Sequence, residues 1–498
     1  MLSSRSFTPV VSAAFGAAIG YYFLSQIYRY GIVSRTGFYL ILLGPLAAIC
    51  FFRVIALFPL YSHIRVFRLA ARYSLACTAG IVIGIGAGAN AVPRFDLGLP
   101  REKITGISGT LLEDPRIISR GRVTALLGLS EVSADRGLRA SAHGELTVIF
   151  PSENSMRLKE FGRSCSIYST GTIQDSASGP LFIADSLHIT RPAGRLENFR
   201  TAVRNSLGQR FNARGDTWGA LSLALLLGIR DNLDLNLSGL YRDAGCSYIL
   251  ALSGMHLAVI ASIIALLLKK PLGQKASAMT GAALIVIYCI TVGPLPSLYR
   301  AALMYLLGVF AALSSLKRDV FSLLCMAFII QIIAVPSSGY SVSFVLSYLA
   351  LAGILSAGEA VNFIFKGKIP SVLLGPLSAS LGAFLLTAGI TSYYFTLLRP
   401  IGIVTGLALV PLTTVFMIGS IIWLVFDIIS PWLSGILRPV LSLLYKLMEK
   451  TVATAAHAPP LKAGGFWPVL IISLALTAFI IWYADRRRVS RNSFPALS

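Results

Sequence analysis

Acidic side chains are scarce in this chain, 21 Asp and Glu against 43 Lys and Arg, and only 13% of its 498 residues are charged. With 55% hydrophobic residues, that scarcity excludes a soluble multidomain protein and describes a polytopic membrane protein. Cysteine is too thinly spread for a disulfide framework. Cys50, Cys77, Cys289 and Cys325 lie in apolar runs, Cys246 sits just before one, and Cys165 stands alone in a polar stretch. The five histidines, His63, His143, His188, His256 and His457, give no metal-ligand spacing and no HxHxDH, which excludes a dinuclear metal nuclease within these residues. No GxxxxGK[ST] occurs, so no phosphate-loop motor is encoded here either. No metal and no cofactor is expected.

What is present is a net charge of +22. Cytoplasmic loops supply part of such a bias, and the remainder suits an anionic partner, nucleic acid or lipid headgroups. Apolar stretches of roughly spanning length open the chain at 8–26, 38–58 and 70–92. Between 93 and 215 the composition changes, with 17 Lys and Arg and 12 Asp and Glu, more than half of all the acids. Short β-like runs at 104–110, 122–129, 144–150, 166–173 and 179–189 alternate there with turn residues. Five strands at that spacing fit a small antiparallel barrel of the OB type and equally a small β-sandwich. Residues 194–212 return to helical period, with Leu196, Phe199, Val203, Leu207 and Phe211 on one face and Arg195, Arg200, Arg204 and Arg210 largely off it. That pattern predicts an amphipathic helix on a membrane surface or against the β-domain. A second short amphipathic piece covers 234–245.

Apolar runs then recur at 216–229, which is short enough to be re-entrant, and at 248–268, 277–293, 297–314, 319–335, 340–357, 371–397, 401–428, 431–448 and 466–484. Lys269, Lys270 and Lys275, then Lys317-Arg318, then Lys366 and Lys368 mark one side, and Arg486-Arg487-Arg488 joins them if 431–448 crosses. Basic loops face the cytoplasm, which sets 93–215 outside.

Three polar clusters interrupt the apolar runs. Ser253-Gly254-Met255-His256 puts a serine and a histidine on one helix face. That is the spacing of a nucleophile and base, or more plainly of helix packing or a pore lining. Arg230, Arg242, Arg300 and Arg399 fall near the outer ends of runs, where a cationic ring would attract phosphates; snorkelling or pairing with Asp231, Asp234 and Asp243 is the plainer role. Arg300, beside Ser297, has no acid near it in sequence. Ser343 and Ser347 form the third patch, one helical turn apart.

In order along the chain, these blocks resemble the ComEC competence-protein family, the inner-membrane channel for DNA uptake. Leu226-Leu-Gly-Ile-Arg230 is similar to the family's LLLGxR. Tyr241-Arg-Asp-Ala-Gly245 with Leu250-Ala-Leu-Ser-Gly-Met-His256 resembles (F/Y)xxxG…LAxSGLH, with Met255 for Leu. Gly293-Pro-Leu-Pro-Ser297 with Arg300, Ala301 and Met304 resembles GxxxSxxRAxxM. Phe344-Val-Leu-Ser-Tyr-Leu-Ala350 is similar to GFQLSFLA, but Ser343 replaces Gly and Val345 replaces Gln; Pro411 fits a final element in which Gly406 replaces Asn.

The resemblance implies a polytopic α-helical membrane protein of about 11–13 spans with an inserted extracytoplasmic OB-like barrel. The expected order is a three-span helical cluster at 1–92, the OB-like domain at 93–193, interfacial and re-entrant helices at 194–247, a competence-type channel domain at 248–484 and a basic cytoplasmic tail at 485–498. A C-terminal metallo-β-lactamase-like nuclease, common in the family, is expected to be missing. The implied function is uptake of single-stranded DNA across a bacterial cytoplasmic membrane in natural transformation, without enzymatic activity. The implied channel lining is Ser253, Gly254, His256, Ser297, Arg300, Ser343, Ser347 and Arg230. In the β-domain, Arg122, Arg139, Arg157, Arg163, Phe150 and Tyr168 are the candidate DNA contacts. The implied partners are single-stranded DNA, membrane lipids, an external DNA receptor, a separate nuclease and a cytoplasmic ATP-driven helicase. Two other classes use the same features: a transporter or flippase for lipids or small anions, and an intramembrane hydrolase built on Ser253 and His256.

Overall fold

The computed structural model describes residues 9–25, 65–91, 96–118, 122–134, 138–154, 162–176, 179–214, 216–293, 295–316, 319–462 and 465–493. The expected span at 38–58, Arg157 and the Lys317-Arg318 loop lie outside these residues. The chain divides into two compact units, one of 93–233 with 287–294 and one of the remaining residues.

The first of these is built on strands β1 (Ile104–Leu111), β2 (Arg116–Ile117), β3 (Val123–Ala134), β4 (Arg139–Ser141), β5 (Glu145–Phe150), β6 (Ser166–Ser176), β7 (Gly179–Ala184) and β8 (His188–Arg191). Five of them close on themselves in the order β1-β3-β5-β7-β6, with β6 returning to β1. Every pairing round the ring is antiparallel except β5 with β7. The strand β3 makes closure possible: it pairs with β5 through Val123–Gly128 and with β1 through Leu127–Ala134, and a register shift opposite Ser108 and Gly109 bends it between the two. Alternation along β3 buries Val123, Ala125, Leu127 and Leu129, slips by one residue at the register shift and resumes with Val132; these meet Ile107, Val148, Phe150, Ile167 and Phe182 inside. A closed barrel, with the third and fifth of its strands neighbours in parallel, replaces the sandwich alternative. The expected run 179–189 divides into β7 and β8, and the other four runs match single strands.

At the start of helix α3 (Arg195–Arg214) an arginine, not the apolar stripe, is turned inward. Leu196 and Phe199 are exposed, at 65% and 68%, while Arg200 is 2% exposed. The reason is a charge cluster that outweighs the apolar stripe. Arg200 donates through Nη1 and Nη2 to the Asp114 carboxylate, again to Glu197 Oε1, and through Nη2 to the Val292 carbonyl at 3.2 Å. Arg204 Nη1 reaches the carbonyls of Leu227 at 3.1 Å and Val292 at 2.8 Å, and Arg163 Nε donates to Glu197 Oε2 at 3.0 Å. Leu227 ends helix α4 (Asp216–Leu227), so Arg204 caps carbonyls that no turn of that helix can satisfy. Gly293, at φ +106, makes room for this: a side chain there would meet Arg200 Nη2 at 2.8 Å.

In the helical unit, α5 (Leu235–Asp243) and α6 (Ser247–Leu250) precede the long α7 (Gly254–Val292). Gly273 breaks α7 at φ 73, ψ 176, just after Pro271, and a Cβ on Gly281 would lie 3.6 Å from Ile264, so the two halves fold back beside each other. These are the expected spans 248–268 and 277–293. Next come α8 (Pro296–Leu313), α9 (Val320–Ala334), α10 (Val342–Gly353), which runs through a π-turn into α11 (Glu359–Phe365), α12 (Ser371–Phe395), α13 (Ile401–Ile429), α14 (Pro431–Ala456) and α15 (Phe466–Ser493). Seven helices among the described residues are long and apolar enough to cross a membrane. The expected span 431–448 is not one of them: α14 carries Arg438, Lys446, Glu449 and Lys450 and packs along α13 and α5. At the start of the chain, Pro9–Leu24 packs on Arg65–Asn90 through Gly16, Gly20, Gly80 and Gly84, each set so close to opposing backbone that any side chain would collide. Among the described residues Cys77, Cys165, Cys246, Cys289 and Cys325 are free; Cys50 lies outside them.

Replacing Arg200 by Met strands two carboxylates in a buried setting and is expected to destabilise the barrel unit by about 3–5 kcal/mol. Burial pushes the Asp114 carboxyl up, but the Arg200 hydrogen bond and the charges of Arg204, Arg200 and Arg163 outweigh it and hold it below the usual range. A depressed carboxyl stabilises the fold above its unfolded value, about 3.9, and that contribution fades as pH falls through the folded value. Thermal unfolding of the detergent-solubilised chain is therefore expected to show an Arg200→Met deficit that is full at pH 7 and shrinks in strong acid.

Candidate functional site

The polar interior of the helical unit begins where the helix breaks. Helix α6 ends at Leu250, Ala251 is extended (φ −77, ψ 126), and α7 starts at Gly254. Ser253 caps α7, accepting the Leu257 amide at 3.3 Å. His256, the third residue of the helix, reaches back: its Nδ1 accepts from the Ser253 amide at 3.1 Å and lies 3.0 Å from Ser253 Oγ. This is a capping box in which imidazole does the work usually done by Glu or Gln. Since Nδ1 accepts the amide proton, a neutral ring carries its own proton on Nε2. The serine and histidine of the apolar run thus hold the end of a broken helix, and His256 is fully buried in doing so.

Helix α8 brings two further groups. Ser297 Oγ donates to the Leu252 carbonyl at 2.5 Å, satisfying backbone that the break would otherwise leave open. One turn later Arg300 is 7% exposed, and its Nη1 donates to the Ser347 carbonyl on α10. Its guanidinium sits 5.9 Å from the centre of the Tyr348 ring. Gly254 packs directly against it: a Cβ there would lie 3.3 Å from Nη2. Tyr348 is fixed in turn by Gln331 on α9, whose Oε1 accepts from the phenol at 2.8 Å while its Nε2 donates to the Pro296 carbonyl at 3.0 Å. One network therefore joins the helix break, α8, α9 and α10. No carboxylate belongs to it.

The other expected arginines end differently. Arg399 is bound to Asp243, at 2.9 Å to the carboxylate and 2.7 Å to the carbonyl, and Arg242 lies 3.5 Å from the same acid. Both follow the plainer reading, so the proposed cationic ring shrinks in this unit to Arg300. Arg230 is exposed in the barrel-containing unit. Ser343 is exposed at the start of α10, and no hydrogen bond joins it to the network; Ser347 contributes its carbonyl.

In the barrel, Phe150 is fully buried in the core and cannot stack on a ligand, a correction its place at the end of an alternating strand explains. Arg163 is spent on Glu197, and Arg139 lies 3.7 Å from Glu131 on an exposed edge. Arg122 is exposed, and Tyr168 points outward from β6, its ring 6.5 Å from that of His188. Among the described residues no three His, Cys, Asp or Glu side chains gather to hold a metal.

Sequence reading passed over Gln331 and Tyr348. A single glutamine in the apolar run 319–335 was the available signal, because lipid penalises an amide that has no partner.

The fold and this interior define a class, a polytopic helical membrane protein with an inserted closed barrel and a polar core built round one arginine. Residues 225–488 match the family described as Competence protein, more than half of the chain, and the protein belongs to that family. The matched region holds every member of the network, and the barrel lies outside it. No curated protein matches the chain.

Gln331→Leu deprives both the Tyr348 phenol and the Pro296 carbonyl of their partner and is expected to cost about 1–3 kcal/mol, read as a lowered unfolding temperature in detergent. His256→Gln keeps an acceptor at the third position of α7 and should stay near wild type. His256→Leu should lose about 1 kcal/mol. Equal melting of the two His256 variants would rule out the cap.

Proposed function

We propose that this chain is the channel subunit through which single-stranded DNA enters a bacterial cell across the cytoplasmic membrane during natural transformation. The observation that carries this reading is the buried guanidinium of Arg300, held by a carbonyl and an aromatic ring with no carboxylate beside it. A charge inside a helical membrane protein is expensive, and one without a counter-ion suits a path for anions. Membership of the competence family selects DNA among anions.

The broken helix supports the same view, because irregular backbone at membrane depth occurs where it is buried in protein or lines a water-filled cavity. On the basic-loop reading the barrel faces outward, where Arg122 and Tyr168 offer a phosphate contact and a stacking surface. Its closed ring of five strands supports the OB-type reading, a barrel used elsewhere for oligonucleotides. Residues 1–498 hold neither HxHxDH nor GxxxxGK[ST], so these residues supply neither a metal nuclease nor an ATP-driven motor; a receptor outside, a nuclease and an ATP-driven helicase are the activities proposed to work with them.

Complementing a deletion strain with Arg300→Ala tests this directly. Transformation is expected to fall at least about a hundredfold at wild-type membrane levels, with Arg300→Lys intermediate because a point charge replaces a fork. Normal transformation by a well-expressed Arg300→Ala protein would sink the channel reading. Accumulation of a lipid intermediate with transformation intact would instead favour a flippase.

A further inference from the structure

The first turn of α7 offers donors that nothing among the described residues takes up. The first amides of any helix have no carbonyl one turn back. Here the Ser253 amide is satisfied by His256, and the Leu252 carbonyl is occupied by Ser297. The amides of Gly254 and Met255 have no hydrogen-bond partner among the described residues, and both residues are only half-buried.

Arg300 is aimed at the same turn. It is more than nine-tenths buried, its Nη1 is used by the Ser347 carbonyl, and its buried Nε has no hydrogen-bond partner among the described residues. Its Nη2 lies against Gly254, where even a methyl group would sit only 3.3 Å away. The positive end of the helix dipole adds to the guanidinium charge at this point. Two independent sources of unmet donors, a helix terminus and a buried side chain, meet within one helical turn.

We propose that this turn is an anion site taking one backbone phosphodiester of a single-stranded nucleic acid at a time. The proposal rests on the channel reading above and names the atoms that meet the strand: the amides of Gly254 and Met255, and Nη2 of Arg300. A planar fork beside two parallel amides matches the oxygens of a phosphodiester, which accepts but never donates. Glycine at 254 is what leaves the space. A single site of this kind holds each phosphate firmly enough to draw it from water, yet lets the next one replace it.

The full-length protein in phosphatidylcholine nanodiscs provides the test. The probes are a labelled oligothymidylate and the same strand with central methylphosphonate linkages, which keep its shape and remove its charge. Wild type is expected to prefer the phosphodiester strand by about tenfold. Arg300→Gln should abolish that preference and lower the slope of log affinity against log salt by about one. Gly254→Pro deletes one amide at a position where proline suits the helix, and should lose more preference than Gly254→Ala, which adds a similar Cβ and keeps the amide. If the glutamine variant does not fold, Arg300→Lys serves in its place, keeping the salt slope while losing part of the preference.

An unchanged preference in both the Arg300 and the Gly254→Pro variants overturns the site, while the transformation assay judges the channel separately. Loss of strand binding when phosphatidylglycerol replaces phosphatidylcholine marks a lipid-headgroup site and overturns the nucleic-acid assignment.

Discussion

A guanidinium cannot lose its charge, so a membrane protein that buries one must answer that charge with dipoles, with a counter-ion or with a ligand. In the helical unit Arg300 is answered by one carbonyl and one aromatic face. Much else in that unit follows from keeping it there. Gly254 gives it space, Gln331 pins the tyrosine beside it, and Ser297 ties the start of its own helix to the break before α7. Remove the constraint and the broken helix has no evident purpose, since an unbroken span would satisfy its own backbone more cheaply.

The barrel-containing unit solves the same problem the other way. Arg200 is buried as deeply as Arg300, but two carboxylates and a helix-end carbonyl surround it. Such a cluster fixes geometry and leaves little charge to offer a partner. The contrast separates an arginine neutralised by acids, a structural kind, from one answered by dipoles alone. Arg399, paired with Asp243, belongs with the structural kind.

Much of the architecture was legible in the chain because its signals are local. Alternation of apolar residues marked all five barrel strands; the short β2 and β4 and the division of 179–189 into β7 and β8 escaped, since two or three residues and a short bend leave no periodic trace. Span-length apolar runs marked the membrane helices, with Gly273 as the turn between two of them. The misreadings came where a non-local partner outweighed a local pattern. The amphipathic pattern of α3 left its apolar stripe either on a membrane surface or on the β-domain; Asp114, eighty-six residues from Arg200 in the chain, draws the arginine inward and leaves Leu196 and Phe199 exposed. Phe150 read as a stacking aromatic because strand parity does not say which face closes on the core.

Composition and periodicity by themselves determined that this is a basic, many-helix membrane protein with a small β-domain inserted near its start, because lipid length and strand alternation are written residue by residue. Only the tertiary structure decided that the barrel closes, and that His256 in the LSGMH segment reaches back to the Ser253 amide at the start of a helix. It alone decided that, among the arginines expected to form a ring in the helical unit, Arg300 is the one without a neighbouring acid. Those outcomes depend on which groups arrive from distant parts of the chain, and Coulomb and hydrogen-bond energies act over a few ångströms of space, whatever the separation in sequence.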